Sequence, residues 1–301
     1  MNKNPRRTFL KMAAALPAAL AFPVRLFAYD DRGPKLDPES TGLPVRTDNK
    51  QAVSVEDEAD YELNKDYTFS TFVVGRNNEW AHAATLSVSE GPAERDYYPL
   101  YICGPCGMGK THLLHAFGHN FKLNFPSARI RYVSAERFLN ECITAIRRNE
   151  MNRFRRRFRD GCDVLLMDDV QILGRGEAVQ EEFFNTLNHF SEARKQVVVT
   201  SDSYPKAIRG LENRICTRLE WGLIADMEGP DLNTRVAVLR KKAQRRKIDL
   251  DESTIHFLAR SSRRSVRELE GNLTKVKMFS ELKQRPITLQ LAKEVLRAKF
   301  S

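Results

Sequence analysis

The residues between 97 and 227 follow two alternating patterns of apolar and polar positions. Five short apolar runs that end in polar residues predict buried strands. These runs lie in YYPLYIC (97–103), RIRYVSAERF (129–138), CDVLLMDDVQIL (162–173), KQVVVTSDSYP (195–205) and EWGLIADM (220–227). The stretches between them carry apolar residues three or four positions apart, as in KTHLLHAFGHNFKL, and predict helices. Strands and helices in this alternation predict a parallel α/β sheet.

From Pro230 onward the pattern predicts helices only. Four segments have apolar residues three or four apart: LNTRVAVLRKKAQRR, DESTIHFLARSS, SVRELEGNLTKVKMFSEL and ITLQLAKEVLRAKF. Asp251, Ser265 and Thr288 precede three of them and suit helix N-caps. We therefore expect a small all-α lid subdomain over residues 230–301, after an α/β domain over residues 61–229.

The first 60 residues predict a leader and a disordered linker. The segment PRRTFLKMAAALPAALAF has a twin arginine followed by a short apolar run, which resembles a twin-arginine export signal. The small residues expected at a cleavage site are poorly matched. An amphipathic or disordered leader, or a start codon assigned too far upstream, is the alternative. Residues 30–60 lack periodicity and are rich in charge, Pro and Gly, as linkers are.

The composition indicates a globular protein with an ordinary hydrophobic core. The 301 residues are 42% hydrophobic, enough for an ordinary core, and no run of about 20 apolar residues predicts a membrane span. The formal net charge of +10 suits a polyanionic partner. Of the five cysteines, Cys142, Cys162 and Cys216 lie in apolar surroundings and are predicted to be core residues. Their spacing fits neither a disulfide framework nor a zinc site.

The segment CGPCGMGKT is compatible with two kinds of chemistry. Cys103 to Cys106 form the dithiol quartet of thioredoxins, and Gly104 to Thr111 match the phosphate-binding pattern G-x-x-x-x-G-K-[ST]. Both sites need a strand followed by a helix. A dithiol site, however, has its second Cys in the first turn of a continuing helix, and here Gly-Met-Gly follows Cys106. The pattern therefore favours the phosphate loop.

In such a loop the glycines allow backbone N–H groups to surround phosphate oxygens at a helix N-terminus. Lys110 is expected to reach the β and γ phosphates of a nucleotide, and Thr111 to hold Mg²⁺. The loop residues predicted to bind the nucleotide are Gly104, Gly107, Met108, Gly109, Lys110 and Thr111.

Carboxylates follow two of the predicted strands. Asp168 is expected to bind Mg²⁺ through water, and Asp169 to orient or deprotonate the attacking water. A strand that ends in a solvated acidic turn is the alternative for this pair. Asp202 or Ser201, after the next strand, is expected to sense the γ phosphate or to position water, since open parallel sheets bind ligands at these strand ends.

Several motifs together resemble the AAA+ ATPase domain of the bacterial DnaA initiator family. They are YTFSTFVVGRNNEWAHAA, GPCGMGKTHLLHAFG, LLMDDVQIL, EEFFNTLN, TSDSYPKAI, LENRICTRLEWGL and SVRELEGNL. The resemblance runs from about Tyr61 to Ser301. It implies an AAA+ fold, ATP and Mg²⁺ as cofactors, slow hydrolysis, and ATP used mainly as a switch for head-to-tail self-assembly.

The resemblance also implies roles for further residues. Adenine contacts are implied for Phe72, Val73 and Asn77. Arg218 takes the position of the family's arginine finger, with Arg214 nearby, and is expected to reach the γ phosphate of a neighbouring subunit. Arg267 takes the position of the lid arginine that contacts the phosphate in the same chain. A solvated surface position is the alternative for each arginine.

The basic segment between residues 134 and 161 matches the place where the family inserts its initiator-specific helices. Phe154 and Phe158 are predicted to face the core. Arginines on the other face are expected to follow the phosphate backbone of single-stranded DNA, with a merely solvated face as the alternative. The candidates for DNA contact are Arg147, Arg148, Arg153, Arg156 and Arg157, and the segment also contains Arg155 and Arg159.

The family's duplex-reading helix-turn-helix domain is expected after Phe300, and its helicase-loading domain before the sheet. This sequence contains neither, so sequence-specific duplex binding is not expected of it. We expect a cytoplasmic protein of replication initiation or its regulation that binds itself, single-stranded DNA and other replication proteins. A truncated regulator of the Hda type is the alternative with the same fold. An exported dithiol oxidoreductase, suggested by the CGPC quartet and the leader, is the alternative from another class.

Overall fold

The computed structural model of the protein describes residues 63–91 and 97–297, so the predicted leader lies outside the described residues. A parallel five-stranded sheet forms the centre of the first part of the fold, as the sequence predicts. Its strands are β1 (Leu100–Cys103), β2 (Ile130–Ser134), β3 (Val164–Asp168), β4 (Gln196–Ser201) and β5 (Leu223–Asp226). Their order across the sheet is β2-β3-β4-β1-β5.

Helices connect the strands and cover both faces of the sheet. They are α1 (Glu79–Glu90), α2 (Lys110–Asn124), α3 (Ala135–Arg147), α4 (Met151–Arg155), α5 (Glu177–Glu192) and α6 (Asn213–Glu220). A π-helical turn, Arg156–Asp160, continues α4. Short 3-10 turns lie at Phe69–Thr71, Val170–Arg175 and Pro205–Ala207.

Alternate residues of each strand pack into two different cores. Tyr101 and Leu165 face the core formed with α3 to α6, whereas Ile102 and Leu166 face the core formed with α1 and α2. Burial on both faces explains why the strands are continuous apolar runs in the sequence. Phe158, fully buried against Phe138, joins the first core as predicted.

The helical lid has a separate core. Its helices are α7 (Leu232–Arg245), α8 (Glu252–Ser261), α9 (Val266–Lys283) and α10 (Leu289–Arg297). Leu239, Leu258 and Leu273 pack together at its centre. The three predicted N-caps are confirmed, because the side chains of Asp251, Ser265 and Thr288 each accept a backbone N–H from the first turn of the helix that follows. Within residues 63–91 and 97–297, no helix is both long enough and apolar enough to cross a membrane.

Candidate nucleotide-binding site

The polar ends of the strands meet at one edge of the sheet. Because all five strands are parallel, the loop after β1, Asp168 and Asp169 at the end of β3, and Asp202 after β4 lie at the same carboxyl edge. The lid reaches this edge as well, since the backbone N–H of Val266 donates to the carbonyl oxygen of Gly107 at 3.0 Å. The tertiary structure thus brings together three separated motifs and the start of α9.

The loop between β1 and α2 has the backbone that a phosphate cradle needs. Gly107 and Gly109 have φ values of 79° and 101°, which side-chain-bearing residues rarely adopt. A Cβ atom on Gly107 would lie 2.8 Å from the Cβ of Ser265. The loop leads directly into α2 at Lys110, so the unpaired N–H groups of the first helical turn point into the loop. These features fit a bound phosphate group.

Lys110 is buried, and its ammonium group is held by oxygen atoms. Its Nζ atom donates to the carbonyl oxygens of Gly104 and Pro105 at 2.7 and 3.1 Å and pairs with Asp202 Oδ1 at 2.6 Å. Asp202 is partly exposed. A bound phosphate group could replace Asp202 as the partner of the buried Lys110, because both supply negative charge to the same Nζ atom.

Asp168 is a buried carboxylate that accepts three hydroxyl groups. Thr111 Oγ1 donates to its Oδ2 atom at 2.8 Å, Tyr132 Oη donates to the same atom at 3.4 Å, and Thr200 Oγ1 donates to Oδ1. Mg²⁺ prefers a small number of carboxylate and hydroxyl oxygens and keeps several waters. Thr111 and Asp168 therefore fit the magnesium role predicted for them.

Asp169 has a different environment from its neighbour. It lies in the left-handed region at φ 58°, a conformation that Asp tolerates better than most residues. Its backbone N–H donates to Thr200 Oγ1 at 2.9 Å, and its Oδ1 atom accepts from Gln171 Nε2 at 3.1 Å. Burial raises the pKa of the Asp169 carboxyl, the Gln171 amide lowers it, and the negative Asp168 raises it again, so that the net shift is upward.

A cavity of about 260 Å³ continues from the loop toward the segment that contains Phe72, Val73 and Asn77. The amide of Asn77 is oriented by its Nδ2 atom, which donates to the carbonyl oxygen of Glu228 at 3.1 Å. Its buried Oδ1 atom has no hydrogen-bond partner among the described residues. The Asn77 side chain is thus fixed in the wall of this cavity, where the sequence predicts an adenine contact.

Histidines support the Phe72 wall of the cavity. Phe72 stacks on His82 with the ring centroids 5.8 Å apart, and the ring of His112 meets it edge-on at 5.1 Å. His112 Nε2 lies 2.9 Å from the carbonyl oxygen of Thr68. Burial lowers the pKa of His112 to about 4, so this ring is neutral at pH 7 and contributes shape and hydrogen bonding instead of charge.

The predicted phosphate-contacting arginines lie in different parts of the chain. Arg267 lines the cavity, and its Nη1 atom donates to Cys106 Sγ at 3.3 Å. Arg218 is not among the cavity residues, and its guanidinium carbon lies 5.9 Å from the ring centroid of Tyr98 and 5.6 Å from that of Trp221. Tyr98 precedes β1, so Arg218 lies near the amino-terminal ends of the strands, whereas the loop lies at their carboxyl ends.

Ion pairing also distinguishes Arg218 from Arg214. Arg214 Nε pairs with Glu212 Oε2 at 2.6 Å. Among residues 63–91 and 97–297, Arg218 makes no ion pair, and its buried Nε atom has no hydrogen-bond partner. The guanidinium of Arg218 thus lies at cation–π distance from two aromatic rings and has no carboxylate partner among the described residues.

The two loop cysteines do not resemble a reactive dithiol. Cys103 is buried within β1, and burial together with the negative Asp226 raises the pKa of its thiol to about 11. Dithiol oxidoreductases need the opposite, an accessible thiol with a lowered pKa. Cys106 is exposed in the loop, and all five cysteines are free thiols. The geometry thus favours nucleotide chemistry at this segment.

The arginines of the basic segment divide into two groups. Arg147, Arg148, Arg153 and Arg156 are exposed, whereas Arg157 is half-buried and its Nη1 atom lies 3.5 Å from Glu141 Oε2. Arg155 Nε pairs with the buried Glu182 at 3.1 Å, and Arg159 pairs with the same carboxylate. Beside them an open groove of about 510 Å³ lies between α3 and α4, lined in part by Arg137, Arg153 and Arg157.

Three residues of the site were not expected from the sequence: Tyr132, Gln171 and Thr200. Thr200 is a hydroxyl residue at the end of the apolar run QVVVTS, and Gln171 follows the acidic pair directly, so both carried a weak signal. Tyr132 carried none, because an aromatic residue in a strand is ordinary core material.

Comparison with known proteins identifies the families that this chain resembles. A model of the bacterial DnaA ATPase domain matches residues 63–226, more than half of the chain. A model of the lid domain of Hda matches residues 233–296.

Individual relatives agree with these matches. The chromosomal replication initiator protein DnaA of Bdellovibrio bacteriovorus is 58% identical over 234 residues, which are 78% of this chain and 50% of the relative. The chain thus spans about half the length of the curated relatives that it matches.

Solved structures agree with the fold. Domain III of the Thermotoga maritima replication initiation protein DnaA superposes with a TM-score of 0.76 at 36% identity, covering 79% of this chain and 98% of that one. A replication initiator DnaA bound to AMPPCP and single-stranded DNA superposes with a TM-score of 0.66 at 31% identity, covering 74% and 68% of the two chains.

Proposed function

This chain belongs to the bacterial DnaA ATPase family, and on that premise we propose that it is an ATP-binding and ATP-hydrolysing protein of chromosomal replication initiation or its regulation. The observation that carries the proposal is the arrangement at the carboxyl edge of the sheet. There the buried Lys110, the bonded pair Thr111 and Asp168, and Asp169 surround one glycine loop. A related initiator in complex with the ATP analogue AMPPCP supports ATP as the ligand.

The glycine loop and the cavity beside it together form the proposed nucleotide cleft. Different residues of this cleft bind the nucleotide and promote its hydrolysis. Lys110 exchanges its contact with Asp202 for the phosphates of the nucleotide. Thr111 and Asp168, the latter through water, would hold Mg²⁺, and the ion would neutralise charge on the phosphates. Asp169 orients the attacking water or accepts its proton. Phe72, Val73 and Asn77 enclose the adenine. Gly107, Met108 and Gly109 offer their backbone N–H groups to phosphate oxygens, whereas the N–H of Gly104, also predicted to bind the nucleotide, already donates to the carbonyl oxygen of Ser201 at 3.2 Å.

Slow hydrolysis and the use of ATP as an assembly switch complete the proposal for the cleft. Arg267 contacts the nucleotide within the same chain, since it already lies against the loop. Arg218 instead reaches the nucleotide of a second copy, because its position at the far edge of the sheet keeps it from its own cleft. Such a head-to-tail contact is heterologous and repeats into an open filament unless its rotation closes a ring.

Single-stranded DNA is the proposed polyanionic partner. The exposed arginines of the basic segment support it, as does the complex of a related initiator with single-stranded DNA. Arg147, Arg148, Arg153 and Arg156 carry most of this contact, and Arg157 contributes from a half-buried position. Other replication proteins are further proposed partners. ATP and the chromosome occur in the cytoplasm, where we propose that the protein works.

The proposed domain boundaries follow the composition of the chain. An α/β domain over 61–229 and a lid over 230–301 are supported by the two family matches, which end and begin close to residue 230.

The match to the lid domain of Hda supports a second candidate function, that of a regulator that acts on an initiator. Adding the purified chain to an ATP-bound initiator and measuring phosphate release tests this, since a regulator raises the rate and an initiator of its own does not.

Lys110→Ala tests the nucleotide proposal directly. Because Lys110 is the buried cation of the loop, ATP affinity should fall by about 100-fold or more. The double variant Cys103→Ser with Cys106→Ser is the control and should stay within about fivefold of wild type, since neither thiol takes part in the cradle. Calorimetric titration with ATP measures both. Loss of binding in the cysteine variant alone would overturn the proposal, as would insulin reduction by the wild type.

Arg218→Ala tests the assembly switch. ATP-dependent assembly, measured by sedimentation with ATP and with ADP, should be lost while the ATP affinity of the monomer changes less than about twofold. Arg214→Ala is the matched control, because Arg214 belongs to the same helix but is already paired with Glu212. Retention of ATP-dependent assembly in the Arg218 variant contradicts the role of Arg218 in trans.

A further inference from the structure

Gln171 forms a bridge between the two carboxylates that flank the nucleotide cleft. Its Nε2 atom donates to Asp169 Oδ1 at 3.1 Å, and its Oε1 atom accepts the backbone N–H of Asp202 at 3.3 Å. The orientation of the amide is determined by these partners, because a carboxylate only accepts and a backbone N–H only donates. Gln171 also lines the cleft.

The bridge joins the ends of two different strands. Asp169 follows β3, and Asp202 follows β4. Asp202 in turn pairs with Lys110 Nζ at 2.6 Å. The contacts therefore form one chain from Lys110 through Asp202 and Gln171 to Asp169, which links the phosphate side of the cleft to the carboxylate on the water side.

Gln171 fixes the orientation of the Asp169 side chain, which the other residues of the site do not fix. The backbone of Asp169 is held by Thr200, whose Oγ1 atom accepts its N–H at 2.9 Å. Among residues 63–91 and 97–297, the Asp169 side chain has no hydrogen bond other than the one from Gln171, and without it the carboxylate could adopt several rotamers. A carboxylate that acts on water must have one orientation, since misplacement of a reacting group by about 1 Å costs about 100-fold in rate.

We propose that Gln171 is a positioning residue for hydrolysis, which aims the Asp169 carboxylate at the cleft and ties its orientation to the Asp202 loop. The proposal rests on the proposed function of the cleft. Gln171 acts through Asp169 and does not itself exchange a proton, because an amide neither gains nor loses one at neutral pH. Three charged groups act on the pKa of the Asp169 carboxyl: Asp168 and Asp202 raise it, and Lys110 lowers it.

Two substitutions separate the two halves of the bridge. Gln171→Leu removes both hydrogen bonds and keeps most of the volume. Gln171→Glu keeps an oxygen that can accept the N–H of Asp202, but it loses the donor to Asp169 and adds a like charge beside it. Gln180→Leu is the matched control, because Gln180 forms an equivalent bridge between Gly210 O and Glu212 N, at 2.8 Å each, away from the cleft.

The first measurement separates turnover from binding. Both Gln171 variants should lose about tenfold in kcat, the equivalent of one hydrogen bond to a charged group, while the Kd for ATP changes less than about twofold. Gln180→Leu should lower the melting temperature and leave kcat and Kd unchanged. Wild-type kcat in Gln171→Glu would overturn the proposal, as would equal losses of kcat and affinity in Gln171→Leu.

The second measurement needs no nucleotide. In the NMR spectrum of the free protein, the backbone amide proton of Asp202 should shift upfield in Gln171→Leu and stay near its wild-type position in Gln171→Glu and Gln180→Leu. An unchanged Asp202 amide in Gln171→Leu means that the bridge does not exist, and the inference then fails. Failure of the wild type to bind ATP defeats the proposed function instead, and the amide signal still decides whether the bridge is present.

Discussion

The nucleotide cleft and the arginine-rich segment 147–159 are both polar, but they are built in opposite ways. In the cleft, each charged group that was predicted from the sequence lies against a specific partner, as Lys110 does against Asp202. In the arginine-rich segment, neighbouring residues of one type have different surroundings: Arg156 is exposed, whereas Arg155 is tied to the buried Glu182. A motif with defined spacing therefore predicts roles residue by residue, and a run of like charges does not.

Glu182 explains the division within the segment. This carboxylate is 6% exposed and accepts from both Arg155 and Arg159, which attaches the π-helical turn to α5. Arg159 also donates to Thr186 Oγ1 at 3.2 Å. Two arginines thus hold the segment on the core, and the exposed arginines are presented on a fixed support.

The largest effect is expected in the cleft. Asp169→Asn should lower ATP hydrolysis by about 100-fold or more, because the amide cannot accept a proton from water, while ATP affinity stays within about threefold of wild type. Asn also tolerates the left-handed backbone at this position, so the fold should be retained. Phosphate release and nucleotide titration measure the two quantities. Equal loss of both means that Asp168 and Asp169 have been assigned the wrong way round.

A smaller effect, on stability, is expected at the base of the arginine-rich segment. Glu182→Gln removes the shared charge from two arginines and should lower the free energy of unfolding by about 2–3 kcal/mol, less than for a fully buried pair because Arg155 is partly exposed. Glu181→Gln changes an exposed neighbour on the same helix and should have little effect. Urea unfolding compares them. Equal stability of the two variants contradicts the anchoring role.

The smallest effect is expected for DNA binding. The double variant Arg153→Ala with Arg156→Ala should reduce the slope of log affinity for single-stranded DNA against log salt by about 1.4, that is about 0.7 for each lost phosphate contact. Arg155→Ala should leave this slope unchanged, since Arg155 is occupied by Glu182. Fluorescence anisotropy at several salt concentrations measures the slopes. If Arg155→Ala lowers the slope as much as each of the other two changes does, the division of the segment into anchoring and DNA-contacting arginines is wrong.

Much of the cleft could be predicted from the sequence because its parts are local. The loop from Gly104 to Thr111, the acidic pair after β3 and Asp202 after β4 each have a spacing that the chemistry of phosphate binding requires. Gln171 and Thr200 could not be assigned in this way. Their positions carried only a weak signal, because their roles depend on the distance between the ends of β3 and β4, which the local sequence does not specify.

The sequence by itself determined the parallel sheet, the helical lid, the N-caps of its helices and the phosphate loop, because apolar periodicity and backbone constraints act over a few residues. The tertiary structure alone decided which charges are free. It buried Cys103, placed Arg267 over the loop and Arg218 at the opposite edge of the sheet, and divided one run of arginines into anchors and exposed groups. The physical reason is that the role of a charged group depends on its partners and its contact with water. Strand pairing and helix packing bring those partners from distant parts of the chain.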